Sequence, residues 1–449
     1  MKRIYPLLPE PTTPTNLPGA NVEMPLVYCS RNKDWFTTNE RGRWIAITET
    51  AARRMLKEAG FSTKPTETVS GVDAEFNRRM RQDDVDFAGK LAGWPAGVHE
   101  VHGVRFLVTD AVALPPPEPV PWDNLREVMV GILGGEQFRR FLCWLHFRRK
   151  SVRDSVWLPG QALFLVGPAG AGKSFTQQLV TDALGGRVAK AWRYLSGNPF
   201  NMDLIGAEHL CVEDDSPCRD IQTRRSVGNQ IKTMLYGRIQ SAHGKGVNAL
   251  SLEPHWALTA SLNDEPENLL VIPPIDDSLR DKLMILKCHP AKRIVPPGFT
   301  EQRWLGHLLR TELPGLLAEA DRIEVPAEWR DPRSGVAGWQ HLDVLEVLEG
   351  FDPEIRLREL IDEHVVDVPY WQGSAMDLER LLRDKADFEM RQLAKGPHCI
   401  GRYLKRLAKA DSQRFQPKRT AARNLWRIRP AANPAGGVEA VEGLVEAEM

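Results

Sequence analysis

The residues Gly167-Pro168-Ala169-Gly170-Ala171-Gly172-Lys173-Ser174 fit the spacing G-x-x-x-x-G-K-[ST]. Glycines at that spacing let backbone N–H groups turn inward on a chain of phosphates, at the positive end of a following helix. Lys173 then reaches the outer phosphates, and the Ser174 hydroxyl completes the shell of a Mg²⁺ ion. The chemistry to expect is binding of a nucleoside triphosphate, ATP with Mg²⁺, followed by hydrolysis. Such a cradle needs a strand before it and a helix after it. Ala162-Leu163-Phe164-Leu165-Val166 reads as a buried strand, and Phe175 to Leu184 carries helical spacing that ends at Gly185-Gly186.

Two further apolar runs end in polar residues suited to the same reaction. His209-Leu210-Cys211-Val212 reads as a short strand running into Glu213-Asp214-Asp215. Of two carboxylates at the end of such a strand, one can hold the metal shell while the next polarises the attacking water. Glu213 takes the metal role and Asp214 the base role, with Asp215 as a substitute. The alternative is that these acids simply begin a solvated loop. His255 to Ser261 is a third strand-like run and ends at Leu262-Asn263-Asp264-Glu265-Pro266. The Asn263 amide, at a strand tip, is suited to hold the attacking water; the alternative is a turn-forming Asn ahead of a proline.

The elements that position these groups lie in a chain of 449 residues, enough for two or three domains. Lys plus Arg equals Asp plus Glu at 59 each, so whole-chain charge points to no partner. No apolar run approaches a membrane span and the N-terminus has no apolar signal core, so the expected location is the cytoplasm. Cys29, Cys143, Cys211, Cys218, Cys288 and Cys399 lack C-x-x-C spacing, and neither a zinc site nor a disulfide framework is expected.

Residues 1–114 read as a small N-terminal α+β domain. It has strands at Leu26-Val27-Tyr28 and Trp44-Ile45-Ala46-Ile47, a helix from Glu49 to Gly60, and a hairpin turning at His102-Gly103. Its acidic run Asp83-Asp84-Val85-Asp86 reads as surface charge, so no priming chemistry is expected. Residues 115–155 combine the stiff Pro115-Pro116-Pro117-Glu118-Pro119 linker with two helices, Asp123–Leu133 and Glu136–Lys150, joined at Gly134-Gly135. The ATPase core is expected over 156–295 and a helical connection over 296–341. Residues 342–430 form a basic domain, and the acidic tail 431–449 is expected to be disordered.

From Arg391 to Pro430 there are twelve Lys or Arg and one acid, Asp411. Ile400 to Ala410 has helical spacing with Arg402, Lys405, Arg406 and Lys409 on its polar side. Arg414-Phe415 and Asn424-Leu425-Trp426-Arg427-Ile428 read as strands joined by Pro417-Lys418-Arg419. A helix followed by a basic hairpin is the outline of a winged-helix-like domain, with Arg402, Lys405, Arg406, Lys418 and Arg419 meeting phosphates. The alternative is a solvated basic helix that only packs on the core.

Together, the order and spacing of these motifs resemble superfamily 3 helicases, the AAA+ motors of viruses, phages and mobile elements, from about Leu158 to Cys288. Most closely, the chain is similar to the primase–helicase proteins of phages and prophages. Pro159-Gly160-Gln161-Ala162-Leu163, Ala207-Glu208-His209-Leu210 and Asn263-Asp264-Glu265-Pro266-Glu267-Asn268-Leu269 carry that similarity. The resemblance implies an α/β fold with a P-loop AAA+ core, a homo-hexameric ring, ATP between neighbouring subunits, and single-stranded DNA in the pore. It implies that the helices before the P-loop form a collar, and that a separate primase or replication protein is a partner.

The same resemblance makes Ser241-Ala242-His243-Gly244-Lys245-Gly246 a hairpin in the pore, where His243 and Lys245 grip DNA; an ordinary surface turn is the alternative. It also places Asp276 to Met284 where an arginine of one subunit meets the γ-phosphate held by its neighbour. Lys282 falls at that position and Arg280 two residues earlier, and a lysine lacks the planar fork that spans two phosphate oxygens. The implied activity is an ATP-dependent DNA helicase or translocase in the replication of a phage or mobile element, acting in a bacterial or phage-infected cell. An AAA+ ATPase that loads or remodels replication proteins without unwinding is the second reading, and a non-motor scaffold the third.

Overall fold

Ala162–Val166 is apolar at every position and every residue of it is buried, as a strand covered on both faces requires. In the computed structural model, which describes residues 24–66, 68–213, 221–245, 248–291, 294–350, 353–365, 369–394, 398–419 and 424–430, this strand lies inside a six-stranded sheet. The spatial order is Val188–Lys190, His209–Glu213, Ala257–Leu262, Ala162–Val166, Leu283–Lys287 and Trp339–Gln340. The four pairings among the first five strands are all parallel. Ala257–Leu262 is inserted between the strand that leads into the glycine loop and the strand that ends in Glu213. Leu262 is level with Val166 on one side, and Ser261 is level with Glu213 on the other. The residue after this strand, Asn263, therefore emerges between the glycine loop and the acidic tip.

The chain divides into two units: Met1–Asn263 with Ile275–Trp339, and Asp264–Pro274 with Gln340–Met449. In the first, the element Asp123–Arg153 packs Met129, Ile132, Phe141 and Trp144 against Leu163 and Leu165 of the sheet and against the helices Glu301–Thr311 and Leu313–Arg322. Its two helices run on into one another, and the break falls at Gly134, whose φ of 71° and ψ of 162° no helix contains. Near its end, Arg148 is buried and donates to the carbonyls of Leu158 and Pro159 at 3.0 and 2.5 Å. Burial pulls that guanidinium down to about 10. A Cβ on Gly160 would lie 2.2 Å from Arg148 Cζ, so the approach to the central strand needs glycine there.

The N-terminal residues build an antiparallel sheet of Leu26–Cys29, Asp34–Thr38 and Trp44–Ile47, covered by the helices Glu49–Glu58 and Gly71–Gln82. Gly97–Val101 and Val104–Val108 form the expected hairpin, with His102 and Gly103 at φ 52° and 76°. Between these parts, Leu91 to Trp94 run along the base of the parallel sheet. The Ala92 amide donates to Ile205 O, the Gly93 amide to Glu208 Oε1 at 2.9 Å, and Trp94 Nε1 to Glu253 O. Glu208 is fully buried and also accepts from Arg187.

In the second unit the helices Pro353–His364, Ala375–Lys385, Asp387–Leu393 and Cys399–Ala410 surround Leu357, Leu382, Tyr403, Leu404 and Trp426. Its sheet has the order Trp371–Gly373, Asn424–Ile428, Phe415–Arg419, all antiparallel. The tail 431–449 lies outside the described residues. Among the described residues no helix is long and apolar enough to cross a membrane.

Candidate functional site

The glycine loop owes its path to three glycines. Gly170 and Gly172 take φ of 77° and 87°, where a side chain is strained. Gly167 is constrained by space instead: a Cβ there would lie 2.3 Å from the carbonyl oxygen of Cys288. Pro168 is half-buried, Ala169 exposed and Ala171 buried. The helix Lys173–Ala183 starts directly from the loop and aims the amides of its first turn back along it.

Lys173 is 8% exposed, and its Nζ donates to Gly167 O at 2.6 Å, Pro168 O at 2.9 Å and Asn263 Oδ1 at 2.9 Å. All three ammonium protons are thereby used, and two of the residues singled out in the sequence meet. Ser174 is exposed at the helix start. An ammonium, a hydroxyl and first-turn amides around one loop form a donor set that fits a phosphate chain. Ser174 and Glu213 are the oxygen ligands that would hold a Mg²⁺ ion beside it.

Glu213 ends its strand with its side chain 53% exposed and pairs with Lys190 Nζ at 2.9 Å. That lysine, on the neighbouring strand, was not singled out in the sequence; nothing local marks it, because its partner lies across a parallel pairing. Asp214 and Asp215 lie outside the described residues.

Arg280 is exposed on a short 3-10 turn. Lys282 is held within its own chain. Its Nζ bonds both Asp281 carboxylate oxygens at 2.7 and 2.9 Å and lies 4.8 Å from the centre of the Tyr236 ring. Tyr236 also carries Arg333 against its ring at 5.3 Å and donates its hydroxyl to Asp281 O. Burial pushes that phenol up to about 12.

Gln240–Ala242 and Leu250–Leu252 pair antiparallel and present the segment containing His243, Gly244 and Lys245. The fully buried Asn201 clamps its base: its Oδ1 accepts from the His243 amide at 2.8 Å and its Nδ2 donates to Ser241 O at 3.0 Å. The His243 ring lies 5.2 Å from the ring of Phe200, which is 40% exposed. Lys245 is exposed further out. Nothing local marks Phe200, which sits in an Asn- and Gly-containing loop 43 residues before His243.

In the second unit, Cys399–Ala410 turns Ile400, Tyr403, Leu404 and Leu407 inward, and Arg402, Lys405, Arg406 and Lys409 outward. Arg406 pairs with Glu354, and Arg402 Nη2 lies 3.1 Å from Cys399 Sγ. Pro417-Lys418-Arg419 does not join the two strands as expected but lies within Phe415–Arg419, paired with Asn424 to Trp426; Lys418 is exposed there and Arg419 ends the strand.

No protein-family model and no curated protein matches the chain. Among solved structures, the C-terminal region of NrS-1, its residues 305–718 without ligand, superposes with a TM-score of 0.54. The match covers 90% of this chain and 96% of that one at 12% identity. A second structure of the same region gives 0.53 over 91% and 96%. A JCV helicase with a bound small molecule gives only 0.27, over 51% of this chain and 61% of that one at 13% identity. At 12% identity the likeness to NrS-1 is one of fold.

Proposed function

We propose that this chain is an ATP-driven DNA helicase or translocase, working as a hexameric ring in the replication of a phage or mobile element. The observation that carries the reading is the contact between Lys173 and Asn263 at the mouth of a glycine loop, with Glu213 one strand further on. Incoming phosphate oxygens replace the carbonyls of Gly167 and Pro168 around Lys173 Nζ, and the Asn263 amide turns to a water in line with the γ-phosphate. Asp214 takes that water's proton. Ser174 and Glu213 would hold a Mg²⁺ ion, which would offset phosphate charge when bound. Glu213 is available for this, because an exposed pair such as the one with Lys190 is worth about 1 kcal/mol or less.

Lys245, beyond its clamped hairpin base, grips the backbone of single-stranded DNA, and Phe200 beside His243 offers a face for bases. The helix, strand and hairpin order of the second unit supports a winged-helix reading, with Cys399–Ala410 as the helix that meets phosphates. A second reading, an AAA+ ATPase that loads or remodels replication proteins, is favoured by one contact. Lys282 is engaged by Asp281 and Tyr236 of its own chain, which withdraws the residue that stands where a trans-acting arginine is expected.

ATP turnover with and without single-stranded DNA tests the proposal, in the wild type, Lys173→Ala and Lys245→Ala. Stimulation by DNA that disappears in both variants supports a motor. Turnover that DNA never stimulates, or a Lys245→Ala protein equal to wild type in DNA binding and turnover, favours the loader.

A further inference from the structure

Beneath the strand tips runs a hydrogen-bonded chain of side chains that joins the three elements bearing the proposed catalytic groups. Gln177 Nε2 donates to Thr259 Oγ1 at 2.9 Å; Val212 O, 3.2 Å from the same nitrogen, fixes that end of the amide as the NH₂. Thr259 Oγ1 lies 2.8 Å from His209 Nε2, and His209 Nδ1 lies 2.7 Å from Thr181 Oγ1. Thr181 donates its own proton to Gln177 O at 3.1 Å.

With the Thr181 proton placed on Gln177 O, the remaining protons run one way. Thr181 Oγ1, having spent its proton, accepts from His209 Nδ1–H. His209 Nε2 is then the bare nitrogen and accepts from the Thr259 hydroxyl, whose oxygen accepts from Gln177. The circuit starts and ends on Gln177, and a neutral imidazole closes it. His209 and Thr259 are fully buried, and burial pulls the imidazole down to about 3.

Each anchor shares its element with a group of the proposed reaction. Thr181 lies two helical turns beyond Lys173 and Ser174, His209 four residues before Glu213, and Thr259 four residues before Asn263. We propose that His209 is a positioning residue for nucleotide turnover, holding the glycine-loop helix and the two catalytic strands in one register through Thr181 and Thr259. This rests on the ATPase reading above. Displacements of about 1 Å at reacting atoms can cost as much as about a hundredfold in rate, so a loose register appears in kcat before it appears in nucleotide affinity.

The test is steady-state ATP turnover and nucleotide affinity of the full chain carrying Thr259→Val, Thr259→Ser or Thr181→Val, beside wild type and Lys173→Ala. Valine keeps the shape and removes the hydroxyl; serine keeps the hydroxyl. The expected result is kcat lowered at least about tenfold in both valine variants, KM and nucleotide affinity within about twofold, and turnover recovered in Thr259→Ser. Valine variants with wild-type kcat, or a Thr259→Ser protein as impaired as Thr259→Val, overturn the positioning role. Should one valine variant fail to fold, the other decides. If the wild type turns over no faster than Lys173→Ala, the ATPase reading falls and this inference with it. If the wild type turns over and the valine variants match it, only this inference falls.

Discussion

Lys173 Nζ and Asn263 Oδ1 are 2.9 Å apart across ninety residues of sequence, joining the start of the glycine-loop helix to the tip of the inserted strand. Asn263→Ala removes one of three acceptors from the ammonium and leaves two carbonyls in place. ATP affinity should change by less than about threefold, while turnover falls about a hundredfold, as when a positioned group at the reacting water is lost. Nucleotide titration set against steady-state turnover separates the two effects. A raised KM with unchanged kcat would place Asn263 in binding alone.

Phe200 and Lys245 should affect DNA in different ways. Phe200→Ala loses a stacking face, costing about 1–3 kcal/mol in single-stranded DNA affinity with little change in its salt dependence. Lys245→Ala removes one phosphate contact and should lower the slope of log K against log salt by about 0.7. Titrations at three salt concentrations read both quantities. Parallel salt curves for Lys245→Ala and wild type would remove that lysine from the interface.

Acid should weaken the fold well above the carboxylate range. Burial holds His209 down to about 3 and His255 down to about 4, whereas in the unfolded chain both titrate near 6.5. Between about pH 6.5 and 4 the unfolded chain therefore binds protons that the folded chain refuses, so stability falls as pH drops. The expected slope is about 1.4 kcal/mol per pH unit for each histidine. Urea unfolding from pH 7 to 5 measures it, and His209→Gln should lower the slope by about 1.4 kcal/mol per pH unit. An unchanged slope in that variant would mean that His209 is already charged in the folded protein.

The parts of this site that lie close together in sequence were legible. Strand, glycine loop and helix follow one another within about twenty-five residues, and buried strands and amphipathic helices declare themselves by period. The break at Gly134 and the hairpin at His102 and Gly103 could also be read, since each needs a particular backbone angle. What could not be read is what the sheet brings together across long separations. The Lys190 partner of Glu213, the Phe200 partner of His243 and the ring holding Lys282 all depend on tertiary pairing. Trp371–Gly373 is too short to show a period and was missed, although it completes the sheet of the second unit.

Gly160→Ala tests the packing of the approach to the central strand. The added methyl meets a guanidinium that is buried and tied to two carbonyls, so relief requires moving Arg148 or the backbone. Overpacking of this kind costs about 1–3 kcal/mol. Denaturant unfolding should show that loss; a variant as stable as wild type would mean that Arg148 has somewhere else to go.

The Gly93 amide that caps Glu208 has a practical consequence for anyone shortening this protein. Cutting at the proline-rich run looks natural, but it would strip a donor from a carboxylate that has no access to water, at the foot of the strand that ends in Glu213. Arg187 alone would then answer that charge, and Ile205, Glu253 and His255 would lose their covering. The smallest fragment that keeps these contacts of the parallel sheet intact begins before residue 91.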